Sequence, residues 1–316
     1  MSMIKRIEYL EKLKKWKDKD LIKVVIGIRR CGKSTLLELF IEYLKEEKID
    51  EEHIVSINLE SLEYNFSNCK DLYFYVVSKI KNDKKYYVFL DEIHNIEEFQ
   101  KTVDSLYIKK NVDIYITGSN AFLLSGELAT LLTGRYVEIK MLPLSFKEYV
   151  SAFSGNNNYQ SLFLEYMKNG GMPGTISVLD LGINDINKYL DSIFSTVVFK
   201  DIMARNKITD KTILENIIKF ILENIVYLEL LRRGYRVYVG KVDDLKIDFV
   251  AENQGGLKYF QVSLTVRDAK VLERELRSLQ RTGDHYPKYL ITMDMDLSSD
   301  YDGITKINVI DWLLEK

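Results

Sequence analysis

Two cysteines, Cys31 and Cys69, and three histidines, His53, His94 and His285, are all that 316 residues hold of these types. They are too few and too scattered for a disulfide framework or a Cys/His zinc cluster, and they fit a reducing compartment. No apolar run approaches the ~18 residues of a membrane span. The start Met1-Ser2-Met3-Ile4-Lys5-Arg6 lacks an apolar signal core with a small-residue cleavage site. A cytoplasmic location is expected. An excess of one charge is also missing: 45 Lys and Arg face 47 Asp and Glu, so no chain-wide attraction draws the protein to nucleic acid or to an anionic membrane. Any such partner must be met by a local patch. Only 3 prolines and 16 glycines punctuate a chain that is 46% hydrophobic and 29% charged, a balance that excludes disorder and fibrous folds. At roughly 150 residues per domain, about two domains are expected.

Residues 3 to 18 place Ile7, Leu10, Leu13 and Trp16 among charges, the spacing of a helix with one buried face. Leu21 to Ile28 is an apolar, β-branched run broken only by Lys23, as in a buried parallel strand, and a helical stretch runs from Lys33 to about Lys48. Further strands are expected at 53–59, 86–90, 112–117 and 136–140, with helices near 70–81, 96–110 and 120–132. Such alternation implies an α/β fold with one parallel sheet over the first 150 residues or so. The polar run Ser154-Gly155-Asn156-Asn157-Asn158 follows, then helical sequence to about Arg233. From Tyr235 strand-like runs return, with a helix near 268–281 and a final strand at 289–293, the pattern of a second, smaller α/β unit.

Gly27-Ile28-Arg29-Arg30-Cys31-Gly32-Lys33-Ser34 has the spacing GxxxxGKS and stands between an apolar strand and a helix. There the glycines let backbone N–H groups curl around phosphates, Lys33 reaches the β- and γ-phosphates of ATP and Ser34 offers a hydroxyl to Mg²⁺. Gly27 through Thr35 are therefore the expected nucleotide-binding residues. Tyr86 to Leu90 is an apolar strand that ends in Asp91 and Glu92, a Walker B arrangement at the carboxyl edge of the sheet. Asp91 would hold Mg²⁺ and Glu92 would orient or deprotonate the attacking water; an acid pair opening a helix is the alternative. His94 reads as a local hydrogen-bonding residue and Cys31 as a filler of the loop. Thr117-Gly118-Ser119-Asn120 ends a strand with groups able to feel a γ-phosphate, or with a helix cap. Arg135 precedes the fifth strand, either as an ordinary surface residue or as a cation for the transferring phosphoryl group, in cis or from a neighbouring subunit.

Together with these, Leu132-Thr133-Gly134-Arg135-Tyr136, Leu142-Pro143-Leu144-Ser145-Phe146-Lys147-Glu148-Tyr149 and Gly170-Gly171-Met172-Pro173 resemble the bacterial and archaeal AAA-type ATPases that carry a C-terminal domain of unknown function. The resemblance implies a five-stranded ATPase core, a catalytic Glu92, Ser119 as γ-phosphate sensor, Arg135 at the position of an arginine finger, and a helical lid. It also implies that Gly171-Met172-Pro173 touches the nucleotide base, although a plain turn between helices explains the same residues.

Three stretches farther on, 222–229, 246–251 and 259–263, resemble the restriction-endonuclease-like fold, with Glu223, Asp248, Gln261 and Ser263 at its catalytic positions. Gln261 carries no charge and Ser263 stands where that fold has a lysine, which implies a degenerate, non-cleaving site; Lys246, two residues before Asp248, lies on the same strand face. Arg267, Lys270, Arg274, Arg277 and Arg281 form a helical stripe that keeps DNA open as a partner, although residues 222–316 hold 14 Lys and Arg against 16 Asp and Glu, and a solvated helix face explains the stripe as well. The winged-helix segment that the resemblance implies is missing where Ile221 runs straight into Leu222, and apolar spacing from Ile213 to Leu228 would permit one helix across the join. The expected division is 1–150 for the ATPase core, 151–221 for the lid or linker and 222–316 for the nuclease-like domain. The expected function is Mg²⁺-dependent ATP hydrolysis by a cytoplasmic protein with no membrane partner. A nucleotide-gated binding module, or an ATP-controlled nuclease, stands as the alternative, and self-association and a protein partner stay open.

Overall fold

The structure, a computed structural model, describes residues 4–119, 132, 134–153, 155, 158–179, 211–295 and 299–315. The chain forms two compact units, Met1–Pro143 with Met172–Ser177, and Leu144–Gly171 with Val178–Lys316.

The first unit opens with α1 (Ile7–Trp16), followed by β1 (Ile22–Gly27), α2 (Lys33–Glu46), β2 (Ile54–Asn58), α3 (Cys69–Lys79), β3 (Tyr86–Asp91), α4 (Phe99–Tyr107), β4 (Val112–Ser119) and β5 (Tyr136–Met141). The strands make a five-stranded sheet of order β2-β3-β4-β1-β5, parallel throughout. Every residue of β1 and β3 is buried, which explains why both read as continuous apolar runs. Helix α2 buries Leu36, Leu37, Phe40 and Leu44, one stripe of its surface. Helix α3 is started by Asn68, whose side chain accepts from the N–H groups of Lys70 and Asp71. The expected helix at 96–110 is shorter, because residues 93–95 form a single 3₁₀ turn first. The helix expected at 120–132 lies outside the described residues, apart from Leu132.

Lys23, the one charge in β1, is fully buried and meets Asp113, which also accepts from the Tyr115 hydroxyl at 2.8 Å and the Asp18 N–H at 2.9 Å. A buried cation needs such a counter-ion, and here it stands at the amino edge of the sheet.

The second unit holds α5 (Phe146–Ser151), α6 (Tyr159–Asn169), α8 (Lys211–Arg232), β6 (Arg236–Val242), β7 (Leu245–Asn253), β8 (Gly256–Ser263), α9 (Ala269–Gln280), β9 (Lys288–Thr292), β10 (Ser299–Tyr301), β11 (Ile304–Asn308) and α10 (Val309–Leu314). The short α7 (Pro173–Ser177) belongs to the first unit. A capping box between Ser145 and Glu148 starts α5. The six strands are ordered β10-β11-β9-β8-β7-β6; the β8–β9 and β9–β11 pairings are parallel and the other three antiparallel. The strand at 289–293 is not the last, since β10 and β11 follow it. Helix α8 runs unbroken across the 220–222 join. Among the described residues, no helix is long and apolar enough to cross a membrane.

Candidate functional site

The GxxxxGKS loop leaves the carboxyl end of β1, which lies between β4 and β5, the kind of sheet edge at which α/β proteins bind ligands. Its start is tightly packed: a Cβ on Gly27 would stand 2.6 Å from both the Met141 carbonyl oxygen and the Cys31 Sγ, so only glycine fits. Arg30 (φ 66) and Gly32 (φ 97) are both left-handed, the handedness from which anion-binding backbone nests are built, and the Cys31 N–H between them closes a turn onto the Ile28 carbonyl oxygen at 3.3 Å. A left-handed arginine is strained, the kind of strain that gathers at binding loops. Helix α2 begins at Lys33, with Ser34 and Thr35 in its first turn, so its positive end faces the same place. Ile28 is half-buried, Arg29 is exposed and pairs with Glu60 at 3.2 Å, and Cys31 is wholly buried, with desolvation pushing its thiol pKa up. Pro173 comes within 3.9 Å of where a Gly32 Cβ would be.

The acids gather beside this loop. Lys33 Nζ lies 3.2 Å from Glu92 Oε1 and 3.4 Å from the Gly27 carbonyl oxygen. His94 Nδ1 lies 3.3 Å from the other Glu92 oxygen. Thr117, buried at the end of β4, donates its hydroxyl to Asp91 and accepts from the Glu92 N–H at 2.9 Å, locking the two acids in sequence. Glu92 itself has φ 51, which carries the chain out of β3 sharply. The backbone of Ser119 pairs in register with Gly27. The two acids therefore do not open a regular helix.

Arg135 is placed elsewhere. It precedes β5, whose first residue pairs with Ile22 and whose last pairs with Gly27, so it sits at the amino edge, six residues or roughly 20 Å from the loop. Its side chain meets Asp104 at 3.5 Å and the Tyr107 ring at 5.7 Å. The parallel register thus sets Arg135 apart from the loop that leaves β1.

Residues 19–150 match the AAA domain family. An uncharacterized protein of Haemophilus influenzae is 34% identical over 403 aligned positions, covering 99% of each chain. This chain belongs to the same family. An uncharacterized protein of Methanocaldococcus jannaschii is 31% identical over 204 residues, 59% of this chain and 43% of its own. Among solved structures, a Walker-type ATPase of Pyrococcus abyssi is 18% identical with a TM-score of 0.39, covering 73% of this chain and 79% of its own. The AAA domain supports ATP binding, and the loop, Asp91 and Glu92 all lie within it.

The second unit brings a different group together. On β7, Asp248 is buried, accepts from the Val262 N–H at 2.9 Å and meets Lys246 at 3.2 Å. Gln261 accepts from the Asp248 N–H at 3.3 Å and donates to Glu275 at 2.9 Å. Lys219 reaches Glu223 at 3.8 Å and Glu275 at 3.9 Å. Burial first, and Asp248 next, push the Glu223 pKa up. Glu275 is the member that the sequence reading missed, and no spacing signal marks it, since it lies 14 residues from Gln261 on α9. Ser263 bonds the Thr265 carbonyl at 3.2 Å. The five cations of the stripe on and around α9 are all exposed.

Proposed function

We propose that the protein is a Mg²⁺-dependent ATPase. The observation that carries this is the convergence of Lys33, Asp91 and Glu92 at one sheet edge, beside a loop whose backbone handedness suits phosphate. The residues fit the nucleotide: Lys33 and the loop amides would hold its phosphates, and Ser34 and Asp91 would hold the metal. Mg²⁺, when bound, neutralises charge on the phosphates. Lys33 would leave Glu92 for phosphate, which frees the carboxylate to orient a water, while Thr117 keeps Asp91 and Glu92 in place. Ser119 would sense the γ-phosphate. Pro173, near Gly32, supports a base contact by the Gly171-Met172-Pro173 turn. Arg135 would serve only a neighbouring subunit's site, in a homo-oligomer.

The lid or linker would span 151–221, and 222–316 would be a nuclease-like domain, in a cytoplasmic protein. Glu223, Asp248 and Gln261 share one polar cluster, which supports that likeness. Lys246, Lys219 and Gln261 satisfy its carboxylates internally, which favours a binding domain over a cutting one. The 403 aligned positions exceed this chain's 316 residues, so the relative carries residues absent here, consistent with a lost winged-helix segment.

The test is steady-state ATP hydrolysis with Mg²⁺, with and without DNA, in the unaltered protein and Glu92→Gln. Turnover lost in the variant while ATP binding persists supports the ATPase, and stimulation by DNA points to the exposed stripe. Binding without turnover in the unaltered protein supports the nucleotide-gated module instead. Metal-dependent DNA cleavage abolished by Asp248→Ala would overturn the non-cleaving reading.

A further inference from the structure

Arg6 lies far from the phosphate loop in sequence and touches it in space. It stands just before α1 with φ 43 and is only 4% exposed. Its Nη1 donates to the Cys31 carbonyl oxygen at 3.0 Å, and its Nη2 donates to the Leu142 carbonyl oxygen at 2.7 Å. The guanidinium also lies 4.7 Å over the Tyr9 ring, and the Tyr9 hydroxyl accepts from the Leu142 N–H at 3.1 Å. One buried side chain thus ties the GxxxxGKS loop to the residue that follows β5. The left-handed backbone at Arg6 is a strained conformation, kept because the surrounding contacts fix it.

The bond to Cys31 has a directional consequence. Across a trans peptide the C=O of one residue and the N–H of the next point to opposite sides. Fixing the Cys31 oxygen toward Arg6 therefore turns the Gly32 N–H away from Arg6. Gly32 is the left-handed residue from which α2 starts, so its amide direction belongs to the concave face of the loop. The Cys31 thiol fills the opposite, buried side, against Gly27.

We propose that Arg6 is a positioning residue of the phosphate loop, holding the Cys31–Gly32 peptide in the orientation that binds phosphate before any nucleotide arrives. This rests on the ATP-binding reading above, and it makes a claim that can be tested apart from it. The loop's preorganisation should show in ATP affinity and in the protection of the thiol that the loop buries.

The experiment uses the full chain. ATP·Mg²⁺ affinity is measured by calorimetry, and the iodoacetamide reaction rates of Cys31 and Cys69 are followed separately by peptide mass, for the unaltered protein, Arg6→Ala, Arg6→Lys and Tyr9→Phe. Arg6→Ala should weaken ATP binding roughly tenfold or more, the scale of lost charge-assisted bonds. It should speed Cys31 alkylation by a similar factor and leave Cys69, buried at the start of α3 in the same unit, unchanged. Arg6→Lys, which keeps the charge and can hold one carbonyl, should fall between, and Tyr9→Phe should leave Cys31 protected. Equal acceleration of both cysteines would mean general loosening and would overturn the proposal, as would an unchanged Cys31 rate. Unchanged ATP affinity in Arg6→Ala, where the unaltered protein binds ATP, would overturn it too. If the unaltered protein binds no ATP, the ATPase reading falls, and the contrast between the two thiols still decides the role of Arg6.

Discussion

The two edges of the first sheet each hold a lysine against a carboxylate, and they hold it differently. At the amino edge, Asp113 satisfies buried Lys23 and is itself bound by the Tyr115 hydroxyl and the Asp18 N–H, while Lys23 also donates to the Lys19 carbonyl at 2.8 Å. Both Asp113 oxygens and two of the three Lys23 protons are used. At the carboxyl edge, Lys33 meets Glu92 at 3.2 Å and makes a long 3.4 Å approach to the Gly27 carbonyl oxygen, while His94 lies 3.3 Å from the second Glu92 oxygen. On the proposed ATP-binding reading a phosphate would offer Lys33 more than this pair does, so the second pair is the one placed to open. A lysine and a carboxylate meet at both ends, and what distinguishes the two pairs is how short and how well used their further contacts are.

Four substitutions press on that contrast. Glu92→Gln should cut turnover by roughly 10²–10⁴ while ATP affinity holds, because only the water-orienting carboxylate is lost; steady-state rates and calorimetry check it. Asp113→Ala should cost about 3–5 kcal/mol in denaturant unfolding, since it strands the Lys23 charge in the core, whereas removing both charges with Lys23→Met and Asp113→Leu should restore most of the loss. Gly27→Ala should cost about 1–3 kcal/mol and weaken ATP binding, because its methyl meets Met141 and Cys31 at 2.6 Å. The smallest effect belongs to Glu223. Its carboxyl titrates above the usual 4.5, so the stability it gives is complete below that pH and fades as pH rises through its native pKa. Glu223→Gln should then raise the Tm by about 1–3 °C at pH 7 and leave it unchanged near pH 4, as calorimetry would show.

Much of the first sheet was legible because parallel strands buried on both faces have no polar alternation to obscure them, and β1 and β3 are apolar almost throughout. The GxxxxGKS loop was legible for the same reason, since its neighbours fixed its context. The place of Arg135 follows from the same reading, although its two roles stayed open: a residue before a strand parallel to β1 belongs to the edge opposite the one β1 opens onto. β10 and β11 were missed because Ser299–Tyr301 has three residues, and Ile304-Thr305-Lys306-Ile307-Asn308 is brief and half polar. Glu275 could not be found at all from spacing. Its meaning comes from Gln261 and Lys219, contacts made only when α8, β8 and α9 come together.

The assignment of Met172–Ser177 to the first unit bears on how the protein can be dissected. The backbone passes from one unit to the other at 143–144, at 171–172 and again at 177–178, so neither unit is a contiguous stretch of the gene. A truncated product ending at residue 150 would keep all five strands and the whole GxxxxGKS loop, yet lose Pro173 from beside Gly32. Excising the sheet by sequence position would therefore yield a fragment with an intact motif and an incomplete neighbourhood, and its failure to take up nucleotide would say nothing about the intact chain.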